Sequence, residues 1–400
     1  INAGTTKAIA LNNGWNMISS NVMPTQPDMT AVFDQIASSV DIVKGRNRDR
    51  NIPAIPINGI GNWDLLKGYQ VKANKKDTLQ IVGQNAVPQN TPIPLHTGWQ
   101  IISYLRDSPQ NIATVFAPIQ GQISVVKNNN GQTYLPQFNI NSIGNMRPCE
   151  GYKVKALMNT TLLYQPNFTS QIDDRNENTA GADITHFVLN SSLNTGNNAT
   201  IILTDSVAEG FMRSGDEIGV FTAEGVLCGA AKFTQGRHLA ITVWGDDTST
   251  DTLFEGLRFG EAYNFKVWNS KAQNEHSAQV KLLSGIKTYE PDAIELITNV
   301  ALQSVSELAS NSFDAQILRL FPNPASESLN ISIISKTPGK VALTALRLDG
   351  TLVWDLQELE YQPDGTKFNF KVPAKLPSGL YWFRFQFENR IIYRQIFFQK

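Results

Sequence analysis

The 400 residues, 41% of them hydrophobic, are enough for two to four domains at roughly 100 to 200 residues each. A formal charge of -1, from 34 basic and 35 acidic side chains, leaves no summed field to gather nucleic acid or anionic lipid. No apolar run approaches the roughly 18 residues of a membrane span, and Cys149 and Cys228 match neither a disulfide framework nor a zinc-ligand spacing.

Only 17% of residues are charged, against roughly 25% in ordinary soluble domains, and Asn, Gln, Ser and Thr fill the difference. That surface reads as extracellular. The opening "INAGTTKAIALNNGW" has no charged segment followed by an apolar one, so any leader peptide is expected to have been removed.

The chain then repeats itself. "LNNGWNMIS" (11–19) returns 84 positions later as "LHTGWQIIS" (95–103), keeping Leu11, Gly14, Trp15, Ile18 and Ser19. "VFDQIASSVDIVK" (32–44) returns as "VFAPIQGQISVVK" (115–127), and "INGIGNWDLLKGYQVKA" (57–73) as "INSIGNMRPCEGYKVKA" (140–156). So many matches at offsets of 84 and then 83 mark two copies of one module, expected over 1–88 and 89–168. Alternation in "GWNMIS", "VDIVK" and "GYQVKA" predicts strands, and Val32, Phe33 and Ile36 predict one short amphipathic helix per copy. Trp15 and Trp99, kept in both copies, read as core. Trp63 is matched by Met146 and is therefore expected on the surface, as a candidate ligand contact.

The polar stretch 169–183 has the composition of a linker. Residues 184–300 follow with "ATIILTDS", "DEIGVFTAEGVLCGAAKF", "HLAITVWGDD" and "YNFKVWNS", short alternating runs at the spacing of an antiparallel sandwich. Asp246, Asp247, Ser249 and Asp251 place oxygens at alternate loop positions, a pattern suited to Ca²⁺, although the Gly and Glu of a helix–loop–helix calcium loop are missing. An ordinary acidic loop is the competing reading. Trp244 and Trp268 join Trp63 as candidate contacts for a sugar ring.

This third region resembles β-sandwich modules common in secreted multidomain proteins of Bacteroidota. The matching residues are Gly215–Phe221, Gly225, Gly229 and Trp244–Asp247. The "GWN" repeats look like another module of the same kind of protein. Neither resemblance implies a particular ligand.

Residues 301–316 read as a second linker, and 317–400 as a compact all-β domain. "LDGTLV" and "FENRIIY" are strand, turn, strand; Pro322 and Pro324 suit only an edge or entry segment; Gly379 permits a turn before the last hairpin. The order of motifs resembles the type A C-terminal sorting domain of the type IX secretion system. Pro322, Asn323, Pro324 and Ala325 match its first box, with Phe321 where the family has Tyr. Asp349 and Gly350, with Val353, match the second. Leu376, Pro377, Ser378, Gly379 and Tyr381 match the third, and Lys400 the closing basic residue. The resemblance implies export through the periplasm to the cell surface or medium, with the secretion machinery as partner of 317–400.

No catalytic signature accompanies these domains. There is no GxSxG, HExxH, Walker or GxGxxG motif, and His96, His186, His238 and His276 are scattered without a partner at a recognisable spacing. The sequence therefore predicts a mainly β chain of small antiparallel β-sandwich or Ig-like domains, the two N-terminal repeats each with one short helix. It is expected to bind no cofactor, with Ca²⁺ at the acidic loop as the less favoured alternative. Its expected role is non-catalytic: an adhesive or self-associating surface component, with a carbohydrate-binding module as the alternative and a hydrolase with an unrecognised site behind both.

Overall fold

The computed structural model describes residues 4–45, 50–54, 57–167, 184–190, 193–247, 250, 255–285, 288–303, 316–321, 325–334, 338–346, 352–362, 366–387 and 391–398. The chain is mainly β, in small and largely antiparallel sheets with a few short helices. In the first repeat, Gly14–Ile18, Tyr69–Ala73, Val40–Lys44, Arg50–Ile52 and Ile57–Asn58 form a five-stranded sheet in that order. Alternation sends Tyr69, Val71 and Ala73 inward, against Phe33 and Val32 of the helix Met29–Phe33. Asp28 starts that helix by accepting from the backbone N–H groups of Thr30 and Ala31. A second sheet, Thr5–Leu11, Asp77–Asn85 and Val22–Pro24, closes the core from below.

The second repeat reproduces this unit in detail. Gly98–Ser103, Gly151–Ala156, Ile123–Lys127, Thr133–Leu135 and Ile140–Asn141 form the same sheet order, and Asn111 replaces Asp28 as cap of the helix Ile112–Phe116. Even the irregularities recur. A register shift falls between Val40 and Ile42 in one copy and between Ile123 and Val125 in the other. The turn after each helix breaks at an equivalent isoleucine, Ile36 or Ile119. Buried apolar side chains at these positions fix the break, because the backbone must turn there to deliver the isoleucine inward.

The two copies meet about a pseudo-two-fold relation. Ser19 N–H donates to Cys149 O and, reciprocally, Ser103 N–H donates to Leu66 O, at 3.0 and 3.1 Å. Ile18 bridges Glu150 as Ile102 bridges Lys67. Such close backbone contact needs glycine at the crossing. A Cβ on Gly68 would fall 2.6 Å from Ile101 Cγ2 and 2.9 Å from Ile102 O; one on Gly151 would fall 2.8 Å from Ile18 O. The glycine of each "GY" pair is thus explained by the neighbouring copy and not by its own fold.

Residues 193–303 contain one continuous seven-stranded sheet where two facing antiparallel sheets were expected. Its order is Leu227–Lys232, Glu217–Phe221, Asn264–Asn269, Asn274–Leu282, Ile294–Gln303, Asn198–Leu203 and Leu239–Trp244. Asn198–Leu203 and Ile294–Gln303 run parallel. The sheet curls around its core until its edges approach: a Cβ on Gly229 would lie 2.4 Å from Thr242 O. The segment entering it is tied down by Glu217, whose buried carboxylate accepts from the N–H groups of Thr185, His186 and Phe187.

The C-terminal domain packs a three-stranded sheet (Gln316–Phe321, Ser328–Ile334, Thr366–Lys371) on a four-stranded one (Leu352–Tyr361, Gly339–Leu346, Gly379–Phe387, Ile391–Phe398). Leu329, Ile331, Leu343, Phe383, Phe385 and Phe398 are fully buried between them. Each such aromatic contributes roughly 1.5–3 kcal/mol by leaving water, which is why the tail of the chain is so rich in them.

The repeat junction makes a direct test. Gly151→Ala and Gly68→Ala should each destabilise the paired repeats by about 1–3 kcal/mol through overpacking. Calorimetry should show this as a lowered melting transition, whereas Gly121→Ala, where a Cβ meets nothing within 4 Å, should leave it unmoved.

Candidate functional site

The indoles singled out in the sequence do not form a platform. Trp63 is 1% exposed, contrary to expectation, with its ring 4.7 Å from that of Tyr69. Met146, its counterpart, is also fully buried, so the two copies differ in side-chain size at a core position and not in which side faces water. Trp244 is buried too, where the Gly131 turn of the second repeat covers it. Trp268 is half-buried and lies flat against His186, with centroids 3.7 Å apart and planes 5° from parallel. His186 Nε2 lies 2.8 Å from Glu275, which also binds Lys266.

The acidic loop is put to a different use from the one its spacing suggested. Asp247 Oδ2 accepts from the Trp15 indole N–H at 2.8 Å and from Lys72 Nζ at 2.9 Å. Asp246 instead accepts from the Glu255 N–H. Ser249 and Asp251 lie outside the described residues. Among the described residues no three His, Cys, Asp or Glu side chains are grouped to hold a metal ion.

In the C-terminal domain, Pro322, Asn323, Pro324, Asp349, Gly350 and Lys400 lie outside the described residues. Of the remaining motif residues, Ala325, Gly379 and Tyr381 border the last strand. Ala325, fully buried, forms a parallel bridge with Phe398, and Gly379 pairs with the same residue. Leu376 is buried, Pro377 and Ser378 are exposed, and the Tyr381 hydroxyl donates to Pro377 O at 2.9 Å.

The most elaborate constellation joins the repeats to the third domain. Trp15 is 4% exposed, with Lys44 Nζ 4.0 Å from its ring centroid and Gly196, at φ 71°, so close that a Cβ would fall 2.7 Å from the indole. Asn194 of the third domain donates both to Trp15 O and to Asn129 O of the second repeat, and Thr242 Oγ1 donates to Gly131 O. Three parts of the chain therefore meet at one tryptophan. In the second repeat Lys153 Nζ pairs with Asp292 at 2.5 Å, and Lys127 donates to Asn198 Oδ1 at 2.8 Å. Beneath them a small apolar cluster, Val125, Leu135, Ile140 and Ile202, spans the same junction and packs on Trp99.

Burial is the dominant electrostatic influence here. It pushes the Lys44 ammonium down to about 8 and that of Lys127 to about 7; Asp247 and Asp292, respectively, partly offset it, while neighbouring cations add to the depression. The sequence carried a signal for this site: Lys44/Lys127 and Lys72/Lys155 sit at strand ends in both copies at the repeat offset. A charged side chain kept in both copies, on a strand that otherwise alternates, marks a contact beyond the module.

No family model matches the chain, and no curated protein matches its sequence. Similar solved structures include dimeric latent PorU from Porphyromonas gingivalis, at 7% identity and a TM-score of 0.21 over 99% of this chain and 30% of that one. The BSP domain of a biofilm-associated protein is 9% identical, with a TM-score of 0.16 over 100% of this chain and 67% of the other. The N-terminal four Ig domains of Dscam1 are 10% identical, with a TM-score of 0.14 over 99% and 100%. This chain thus spans about 30% of the length of the PorU chain. TM-scores this low carry no argument about function; the mainly β architecture rests on the strands themselves.

Two outcomes are expected at the junction. Asp247→Ala removes the carboxylate on which Lys72 and the Trp15 N–H converge and should weaken docking of the third domain by about 1–3 kcal/mol, while Asp247→Asn, which keeps an acceptor, should cost less. Hydrogen exchange at the strand Gly14–Ile18 measures both. Because Lys44 and Lys127 have docked values below their ordinary 10.5, docking releases protons, and its strength should fall as pH drops from about 10 to about 7 and then level off. Lys127→Met should flatten that dependence.

Proposed function

We propose that the chain is a non-catalytic extracellular or cell-surface protein, exported by the type IX secretion machinery through residues 317–400, that acts as an adhesive or self-assembling structural component of a fibre or sheath. The observation that carries this reading is the use of its indoles and charged side chains in joining domains. Trp15, Asp247 and Lys72 bind the first repeat to the third domain, Lys153 and Asp292 bind the second, and reciprocal backbone bonds bind the repeats to each other. Such bracing suits a load-bearing strut. Thr5–Leu11 borders its sheet and carries a single charged residue, Lys7, but the second repeat takes part of that edge, with Cys149 Sγ donating to Ala8 O and Asp107 pairing with Lys7.

The order of the sorting motifs supports the export route, and the convergence of Ala325, Gly379 and Phe398 fits a domain recognised as a folded unit. No helix among the described residues is long and apolar enough to cross a membrane. A carbohydrate-binding role has less support, since Trp63 and Trp244 are buried and His186 covers a face of Trp268.

Electron microscopy of native surface material, beside the purified chain at micromolar concentration, tests the proposal. Filaments or sheets with a regular subunit repeat are the expected result. Dispersed particles in both samples would overturn it, and a glycan array with Trp268→Ala as control would then decide for the carbohydrate reading.

A further inference from the structure

Duplication supplies each repeat with the same aromatic and basic side chains, but the third domain satisfies the two sets differently. In the first repeat Trp15 stands opposite Lys72 on paired strands, and together they hold the Asp247 carboxylate. In the second repeat Trp99 stands opposite Lys155 in the same register. Yet among the described residues the Trp99 indole nitrogen donates no hydrogen bond, and the contact of Lys155 is with the Trp99 ring, 5.7 Å from its centroid. The acidic residue that the third domain extends here, Asp292, binds Lys153, which occupies the position of Gln70 in the first repeat.

Charge at this point is out of balance. Lys127, Lys153 and Lys155 lie 5.4, 5.4 and 5.7 Å from the Trp99 centroid, and Asp292 is the carboxylate paired among them. Trp99 and Lys155 are each half-buried, so the place is partly desolvated and still open to solvent. With Asp292 engaged by Lys153, the Lys155 ammonium in this partly desolvated place favours an added anion.

We propose that Trp99 and Lys155 form a second carboxylate socket, which takes an aspartate or glutamate side chain presented on a turn of another protein chain, as its twin takes Asp247. The twin defines the chemistry: one indole N–H and one ammonium converge on a single carboxylate oxygen. It also indicates the form of the ligand, because Asp247 is delivered from a turn that follows the strand Leu239–Trp244. A sugar acid fits less well. The Trp99 ring already packs on the Val125, Leu135, Ile140 and Ile202 cluster and has three lysines around it, which crowds the stacking of a pyranose.

The socket is independent of surface assembly, and its test does not require filaments. The full chain would be titrated calorimetrically at low ionic strength with a peptide of residues 243–250, VWGDDTST, and separately with glucuronate. The peptide should bind at one site and weaken with added salt. Lys155→Gln and Trp99→Phe should each reduce affinity about tenfold or more, the effect of losing a charge-assisted hydrogen bond. Lys155→Arg should retain binding, and Lys76→Gln, at an exposed turn, should leave it unchanged; melting curves matched to the parent chain establish that the variants fold. Glucuronate binding without peptide binding overturns the assignment of a protein ligand. Absence of binding by either, or peptide binding indifferent to Lys155→Gln, overturns the socket.

Discussion

Everything in the arrangement of the N-terminal two thirds depends on what meets a lysine buried at a strand end. Removing an ammonium group from water costs several kcal/mol unless a carboxylate or carbonyl receives it. Both repeats place lysines beside a tryptophan on the outer face of the sheet. The acids come from the third domain, as Asp247 and Asp292. Charge satisfaction thus makes the third domain part of the repeats' own folding problem.

The pseudo-two-fold contact between the repeats has a second consequence. An isologous contact is closed, because each partner's patch is covered by the same patch of the other. The backbone of Ser19, Leu66, Ser103 and Cys149 is therefore taken up within the chain and is not available to a neighbour. A single extended array of such modules would need a different face. Any association between chains must use edges outside this contact; Thr5–Leu11, at the border of its sheet, is partly inside it, since Ala8 O accepts from Cys149 Sγ and Lys7 pairs with Asp107 of the second repeat.

Much of the fold was legible in the sequence, for identifiable reasons. Period-two alternation located the strands of both repeats, and the fixed offset between copies carried the helix and the turn with it. The buried face of the C-terminal strands was visible in the Phe and Tyr residues of 376–400. What covers a face was not legible. Trp63 was misplaced because replacement by Met146 says only that the site tolerates another large apolar side chain, and both are core. The parallel pair in the third domain was hidden since alternation is the same for either strand direction. The acidic loop suggested calcium by its spacing, yet Lys72 and Trp15, which donate to Asp247, lie 175 and 232 positions away, beyond the reach of any local pattern.

Duplication followed by unequal use explains the remaining asymmetry. Gln70 donates to Gly196 O, so the first repeat seats a bare backbone turn of the third domain against Trp15. At the same position the second repeat has Lys153, which draws Asp292 to itself. A neutral amide at that position leaves Lys72 as the ammonium that competes for the nearby carboxylate, and a lysine there adds a rival donor. One substitution in an otherwise matched pair of strands therefore places the bound acid two residues along the strand, at Lys153, and leaves Trp99 and Lys155 without the one that their counterparts hold.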